Sequence, residues 1–470
     1  MGDPVALSAL TIGHALVLHA HDRPSRQACD IALAAPAGAE DDLVVLDVSG
    51  PLPVGFWDEA ARALPPGGRG LRIVPCGAGH EMAALLGQWL SDRLDRDVTV
   101  PYGPVVRTPA GMLLAEDGPE GGWVRHRPGR VPEREGRRYP RPVWDEAGGA
   151  HRGTSAHGVA EPLPTGVWIR DTRDEDAAAT HRRLLFADVP CLPATMTVVL
   201  GCPGTTPLSL DDVARFWLGV PEQWRDAARF VGYGPVRLPA GTTLGQALAD
   251  LLGTPVTCFT GLPTGRPGAA DMRAVTPDGG LGRRIYAREL CFQPRTGLGP
   301  APAPRIQDLW VPDFLGEPAE PRVYHYTHDV AVEVVQSGLW VRPLRTPPHS
   351  GAVRGRVPGD RGPDVLVDDS ELALLPRLRD VAGDLVDRLA GTGDEPAPVR
   401  VLTIVAPPGT SRAATVRPAP APAVAPAPAA AAPIDVEVDI APHHQEEQRD
   451  VRASRGADGT AGSPVLGRAH

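Results

Sequence analysis

The chain has no lysine and no asparagine anywhere in its 470 residues. A high-GC coding sequence would account for both absences, yet each still limits the chemistry. Without lysine there is no Schiff-base nucleophile, no phosphate-binding loop of the Walker type and no kinase ion pair. Without asparagine there is no N-glycosylation acceptor. The six cysteines, at positions 29, 76, 191, 202, 258 and 291, form no Cys-x-x-Cys pair, so a zinc ribbon or redox motif is not supported. Their wide spacing points to separate, reduced thiols in a cytoplasmic setting. No apolar run approaches the roughly 18 residues that a membrane-crossing helix needs. The opening Met1-Gly2-Asp3-Pro4 lacks the charged segment and apolar stretch of a Sec signal, so export by another route is the only secretion expected. Net charge is −10, every basic residue is arginine, and acidic and basic side chains are interspersed without a basic stripe. A nucleic-acid surface is therefore not expected, and neither is a bound cofactor or metal.

What the chain does have is a repeated pattern. Gly87-Gln88-Trp89-Leu90-Ser91-Asp92-Arg93-Leu94 matches Gly245-Gln246-Ala247-Leu248-Ala249-Asp250-Leu251-Leu252. Val98-Thr99 then meets Val256-Thr257, and Gly103 meets Gly261. Upstream, Val44-Val45-Leu46 and Gly50 match Val198-Val199-Leu200 and Gly204; downstream, Thr108-Pro109-Ala110-Gly111 matches Thr276-Pro277-Asp278-Gly279. The order is the same in both copies. Residues that differ between the copies are not needed for the shared fold.

Each copy alternates short apolar runs with amphipathic stretches. In the first, strands are expected at 43–46, 71–74 and 98–100, with helices at 56–64 and 81–94. In the second, strands at 198–200, 229–231 and 256–259 flank helices at 210–218 and 244–252. Strands alternating with helices at this spacing predict a largely parallel, helix-covered sheet. The fold class is therefore α/β: unit one over 1–130, a linker or long loop over 131–165, and unit two over 166–297. A small α+β domain follows over 305–406, with a helix at 330–336, another at 372–389 and a closing strand at 399–405. Residues 408–470 run from Ala/Pro repeats into a charged tail, which predicts disorder.

The strand–helix–strand–Cys–helix order of unit one resembles the caspase-like fold of clan CD peptidases and of the "lonely Cys" modules of actinobacterial polymorphic toxins. In that family a His-Gly follows one strand and the catalytic Cys follows the next. Here Cys76, in Ile73-Val74-Pro75-Cys76-Gly77, takes the second position, and Ser49-Gly50 stands at the first. A cysteine nucleophile needs a base to generate its thiolate. His80 could supply it if 77–79 turns sharply, and His14, His19 and His21 are another source. Unit two has Tyr233 in place of Cys76 and Pro203 in place of the histidine; Cys202 beside it has no base near in sequence. Both copies thus read as degenerate.

In the third region, Tyr324-His325-Tyr326-Thr327, a short helix and Ser337-Gly338-Leu339 resemble the opening of ADP-ribosyltransferase-like toxin domains. That resemblance implies that His325 contacts a nicotinamide ribose. The family also carries a later stacking aromatic, and no tyrosine follows Tyr326. The expectation is a non-catalytic interaction or scaffold protein with a protein partner, in a toxin, conflict or specialised secretion assembly. Its rivals are a cysteine peptidase using Cys76 and His80, and an NAD-consuming transferase using His325.

Overall fold

Short apolar runs buried on both faces build the parallel strands of this protein, and helices cover them. The computed structural model describes residues 7–34, 40–48, 55–64, 67–76, 80–108, 112–116, 121–266, 269–297, 299–359 and 363–391, without the side chains of 80–86. In the first sheet, β1 (Ser8–Ile12) and β2 (Ala15–His19) form a hairpin, and helix α1 (Arg26–Ala32) leads to β3 (Asp42–Asp47). Helix α2 (Phe56–Ala63) connects to β4 (Leu71–Cys76), and α3 (His80–Leu94) connects to β5 (Val98–Tyr102). Strands β2 to β5 are parallel. A separate hairpin, β6 (Val105–Arg107) and β7 (Leu113–Ala115), precedes β8 (Gly122–His126) and β9 (Glu133–Gly136), which close the sheet antiparallel. Val17, Val45, Val74 and Cys76 face one core with Ile31 and Trp123. Leu18, Val44, Ile73 and Val98 face the other with Leu90.

The chain then passes through β10 (Arg138–Tyr139), which pairs with β7, and helix α4 (Asp145–Gly148) into a second, eight-stranded sheet. This sheet opens with β11 (Arg152–Gly153), β12 (Gly158–Leu163) and β13 (Gly166–Asp171). Helix α5 (Glu175–Asp188) leads to β14 (Met196–Leu200); β15 (Leu208–Ser209), α6 (Leu210–Leu218) and α7 (Glu222–Arg225) lead to β16 (Ala228–Gly232). Then β17 (Val236–Arg237) and α8 (Leu244–Leu252) lead to β18 (Val256–Phe259). A three-stranded excursion of β19 (Leu262–Arg266), β20 (Ala269–Val275) and β21 (Leu281–Arg284) precedes the antiparallel β22 (Ala287–Phe292) and β23 (Arg305–Leu309). Helix ends follow local chemistry: Ser209 caps α6 and Thr243 caps α8 through backbone N–H groups, and α8 stops at a left-handed Gly253. The two sheets share one register. Leu43 faces Ala15 and Arg72 as Thr197 faces Gly166 and Arg229.

A third sheet joins β24 (Val323–His325), β25 (Val330–Val335), β26 (Gly338–Pro343) and β27 (Asp364–Val367), with helices α9 (Ser350–Arg354) and α10 (Leu375–Ala390). Its opening repeats that of the second sheet. The Thr154 N–H donates to Gly158 O at 2.8 Å, and the Tyr326 N–H donates to Val330 O at 3.0 Å. Glu161 lies opposite Trp168 and Glu333 opposite Trp340. Gly166 pairs with Thr197 and Gly338 with Asp364, where the parallel strand begins. Arg170 and Arg182 close on the Glu161 carboxylate, and Arg342 and Arg354 close on Glu333.

The structure corrects several expectations. Residues 131–165 were expected as a linker or long loop; they hold β9, β10, α4, β11 and β12. Residues 305–309 pair with β22 and so belong to the second sheet, not to a domain starting at 305. Residues 330–335 form a strand instead of a helix. Glu333 is a buried ion-pair partner, and the β-branched valines around it suit a strand. The strand expected at 399–405 and the tail 408–470 lie outside the described residues. The chain is a mixed α/β protein, and among its described residues no helix is long and apolar enough to cross a membrane.

Candidate functional site

Ligands of open parallel sheets bind beyond the carboxyl ends of the strands. At that edge the three repeats carry different side chains.

In the first, His19, Asp47 and Cys76 end β2, β3 and β4. They form a row, His19 opposite Asp47 and Asp47 opposite Cys76. Asp47 is buried and accepts hydrogen bonds from the Ser25 N–H and, at 2.7 Å, from Ser25 Oγ, so the residue that caps α1 is tied to the end of β3. His19 Nδ1 lies 2.6 Å from His21 O. Cys76 is only 4% exposed and packs in the core with Val45 and Trp123. Burial, reinforced by the negative charge of Asp47, pushes its thiol up to about 12. A nucleophile must shed that proton, and this environment retains it. His80 is the first residue of α3; its side chain, the 77–79 turn and Ser49 lie outside the described residues. Cys76 and His19 thus stand in one strand-end row, with the strand of Asp47 between them.

In the second repeat, Gly201 takes the place of Asp47, and its carbonyl accepts a hydrogen bond from Trp168 Nε1 at 2.7 Å. Tyr233, at the position of Cys76, has its hydroxyl 2.8 Å from His181 Nδ1 on α5. Burial raises the Tyr233 phenol, with a smaller push from neighbouring Cys202, and burial lowers His181. Both shifts favour the neutral forms, and the two groups share one hydrogen bond. Cys202 is fully buried, and burial pushes its thiol up to about 11. Sequence gave no hint of His181, because it arrives from a different helix.

In the third repeat, Asp368 stands where Asp47 does. It is fully buried and lies 3.1 Å from His349 Nε2, and it accepts from the Ser370 N–H and Oγ. His349 holds the N-cap position of α9, as Ser25 caps α1. A sequence signal existed for this site: Val44-Val45-Leu46-Asp47-Val48-Ser49 recurs as Val365-Leu366-Val367-Asp368-Asp369-Ser370.

His325 ends β24, the outer strand of the third sheet, with an exposed side chain; the register runs from His325 to Ala331 and on to Arg342, beside the end of β27. The Tyr326 hydroxyl donates to Asp384 on α10, and Thr327 Oγ1 donates to Asp329 at 2.7 Å. The helix that the transferase resemblance places next is strand β25, and the turn between them matches the one at 154–158 of the second repeat. Among the described residues, no group of three His, Cys, Asp or Glu side chains could hold a metal ion. Compared with protein-family models, curated proteins and solved structures, the chain matches none.

Proposed function

We propose that the chain is a non-catalytic interaction or scaffold protein built from degenerate caspase-like units, and that its partner is another protein. The observation that carries this reading is the state of Cys76. At the strand end where the resemblance puts a nucleophile, the thiol is packed into the core and held protonated, its titration pushed up to about 12. Tyr233 fills the same place in the second unit and is bonded to His181. The polar residues at these edges are engaged in holding crossover helices to strand ends, which is scaffold work. A toxin, conflict or specialised secretion assembly is the setting that the resemblance implies, and the Pro/Ala-rich stretch after 407 suits tethering.

The test is alkylation of Cys76 by iodoacetamide at neutral pH, followed by peptide mapping, beside a peptidase assay. The reading expects Cys76 to react only when the chain unfolds, with no peptide hydrolysis. A native rate matching or exceeding that of a free thiol, together with hydrolysis abolished in Cys76→Ala, overturns it in favour of the peptidase.

A further inference from the structure

A groove runs between the β6–β7 hairpin of the first repeat and helix α5 of the second. It is formed by two cavities of about 350 and 420 Å³ that share Glu116, Arg182 and Phe186. Together they lie in the size range of small-molecule sites. Arg182 is committed to the fold, since its Nη2 donates to Glu161 at 2.8 Å. Arg107 and Arg183 are not: both line the groove, and neither forms an ion pair or hydrogen bond through its side chain among the described residues. The Nε of Arg107 is buried there without a partner. Glu116 likewise makes no side-chain hydrogen bond or ion pair among the described residues, and burial, opposed by the charges of Arg182 and Arg137, raises its carboxyl. Phe186 and Val106 supply apolar wall between these charges.

The second seam of the repeat array serves as an internal control. There Glu333 and Arg354 reproduce Glu161 and Arg182, so this pair belongs to the shared fold. The residues that line the first groove are not reproduced. Val275 stands for Arg107, Gly355 for Arg183 and Pro358 for Phe186. The equivalence of Arg107 and Val275 rests on a common turn: the Thr108 N–H donates to Met112 O at 2.8 Å, and the Thr276 N–H donates to Gly280 O at 3.0 Å. The fold therefore does not require two unpaired arginines and an aromatic ring at this seam. Arg183 is exposed and solvated, whereas the half-buried guanidinium of Arg107, its Nε without a partner, costs desolvation energy that the fold does not return.

We infer that this groove binds a small amphipathic carboxylate, its anionic head on Arg107 and Arg183 and its apolar body on Phe186 and Val106. Burial raises the Glu116 carboxyl, so this residue opposes an anionic head less than a solvated glutamate would. A neutral ligand would leave the arginines unpaired, and a cationic one would meet them with like charge. The inference does not depend on the scaffold reading, because neither Cys76 nor Tyr233 lines the groove.

The experiment is calorimetric titration of the full chain with decanoate, and in parallel with decanol and decyltrimethylammonium. Saturable binding of decanoate, at least tenfold tighter than either neutral or cationic homologue, is expected. Arg107→Gln should weaken decanoate about tenfold or more, the loss of one charged hydrogen bond, with the thermal midpoint unchanged because Arg107 holds nothing in the fold. Phe186→Ala should weaken decanoate and decanol alike. Absence of saturable decanoate binding, equal binding of decanol, tighter binding of the cation, or an Arg107→Gln protein that binds as the parent does would each overturn the proposal.

Discussion

Arg342 and Glu333 meet at 2.9 Å with both side chains 1% exposed, and Arg170 and Glu161 meet at 2.9 Å in the preceding repeat. In each case a second arginine, Arg354 or Arg182, arrives from the following helix to close on the same carboxylate. Each glutamate thus sits between a strand and a crossover helix, with two guanidinium groups satisfying its oxygens. A charge so buried is tolerated only with its partners in place. Glu333→Gln should therefore destabilise the chain by about 3–5 kcal/mol, read as a lowered midpoint in urea unfolding. The exposed Arg26–Asp30 pair, 3.9 Å apart, is the contrast. Arg26→Gln should leave the midpoint unchanged, because exposed pairs contribute little.

Acid should unfold the second repeat through Glu161. Burial alone would raise its carboxyl, but Arg182 and Arg170 outweigh burial and hold it below the ordinary glutamate value of 4.5. A carboxylate lowered in the folded state contributes stability that is complete above its unfolded value and is lost as the pH falls through its native one. The loss should accordingly begin below about 4.5 and deepen with further acid. Arg182→Gln removes the larger of the two opposing influences. Its acid transition, followed by circular dichroism, should move to higher pH. An unchanged transition would remove Glu161 from the account of acid stability.

The parallel strands and their helices could be read from the sequence because their signals are local. Val44-Val45-Leu46 and Val198-Val199-Leu200 are short apolar runs bounded by turns, and the helix at 210–218 has its Ser209 cap and apolar stripe within one window. The opening of the third repeat could not be read in that way. Its evidence is a spaced pattern, Glu161 with Gly166-Val167-Trp168-Ile169-Arg170 against Glu333 with Gly338-Leu339-Trp340-Val341-Arg342. Only the pairing of β12 with β13 explains why a charged residue interrupts an apolar run. The strand-end chemistry was legible in part. Cys76 and Tyr233 were placed by alignment of the copies, whereas the partners that define their state, Ser25 with Asp47 and His181 with Tyr233, come from helices whose docking no single window encodes.

Thiol accessibility gives a third prediction. Of the six cysteines, Cys29 is half-buried and the other five are buried. Burial also pushes Cys191 and Cys258 up to about 12, as it does Cys76. Titration of the native protein with a chromogenic disulfide reagent at pH 8 should therefore show one thiol reacting promptly, abolished in Cys29→Ser, and the remainder only on addition of denaturant. Prompt reaction of two or more thiols would mean that at least one sheet edge opens in solution.

The last prediction concerns the glycines at which two repeats turn from hairpin into parallel strand. Gly166 and Gly338 have φ of +157° and +143°, and each lies directly against the neighbouring strand. A Cβ on Gly166 would collide with Thr197 O, and one on Gly338 with Asp364 O. Neither strand can retreat, because the Thr197 N–H donates to Thr165 O at 3.1 Å and the Asp364 N–H to Ser337 O at 2.9 Å. The collision is with backbone, so no side-chain rotation relieves it. Gly166→Ala and Gly338→Ala should each cost about 1–3 kcal/mol or more, as overpacking does. Gly153 in β11 provides the control, since nothing lies within 4 Å of its added Cβ. Gly153→Ala should be neutral, or stabilising by about 0.4–1 kcal/mol through the reduced freedom of the unfolded chain. Equal denaturation midpoints for Gly166→Ala and Gly153→Ala would show that the parallel strand can shift, and that the shared register of the repeats is less tightly held than the packing at Gly166 implies.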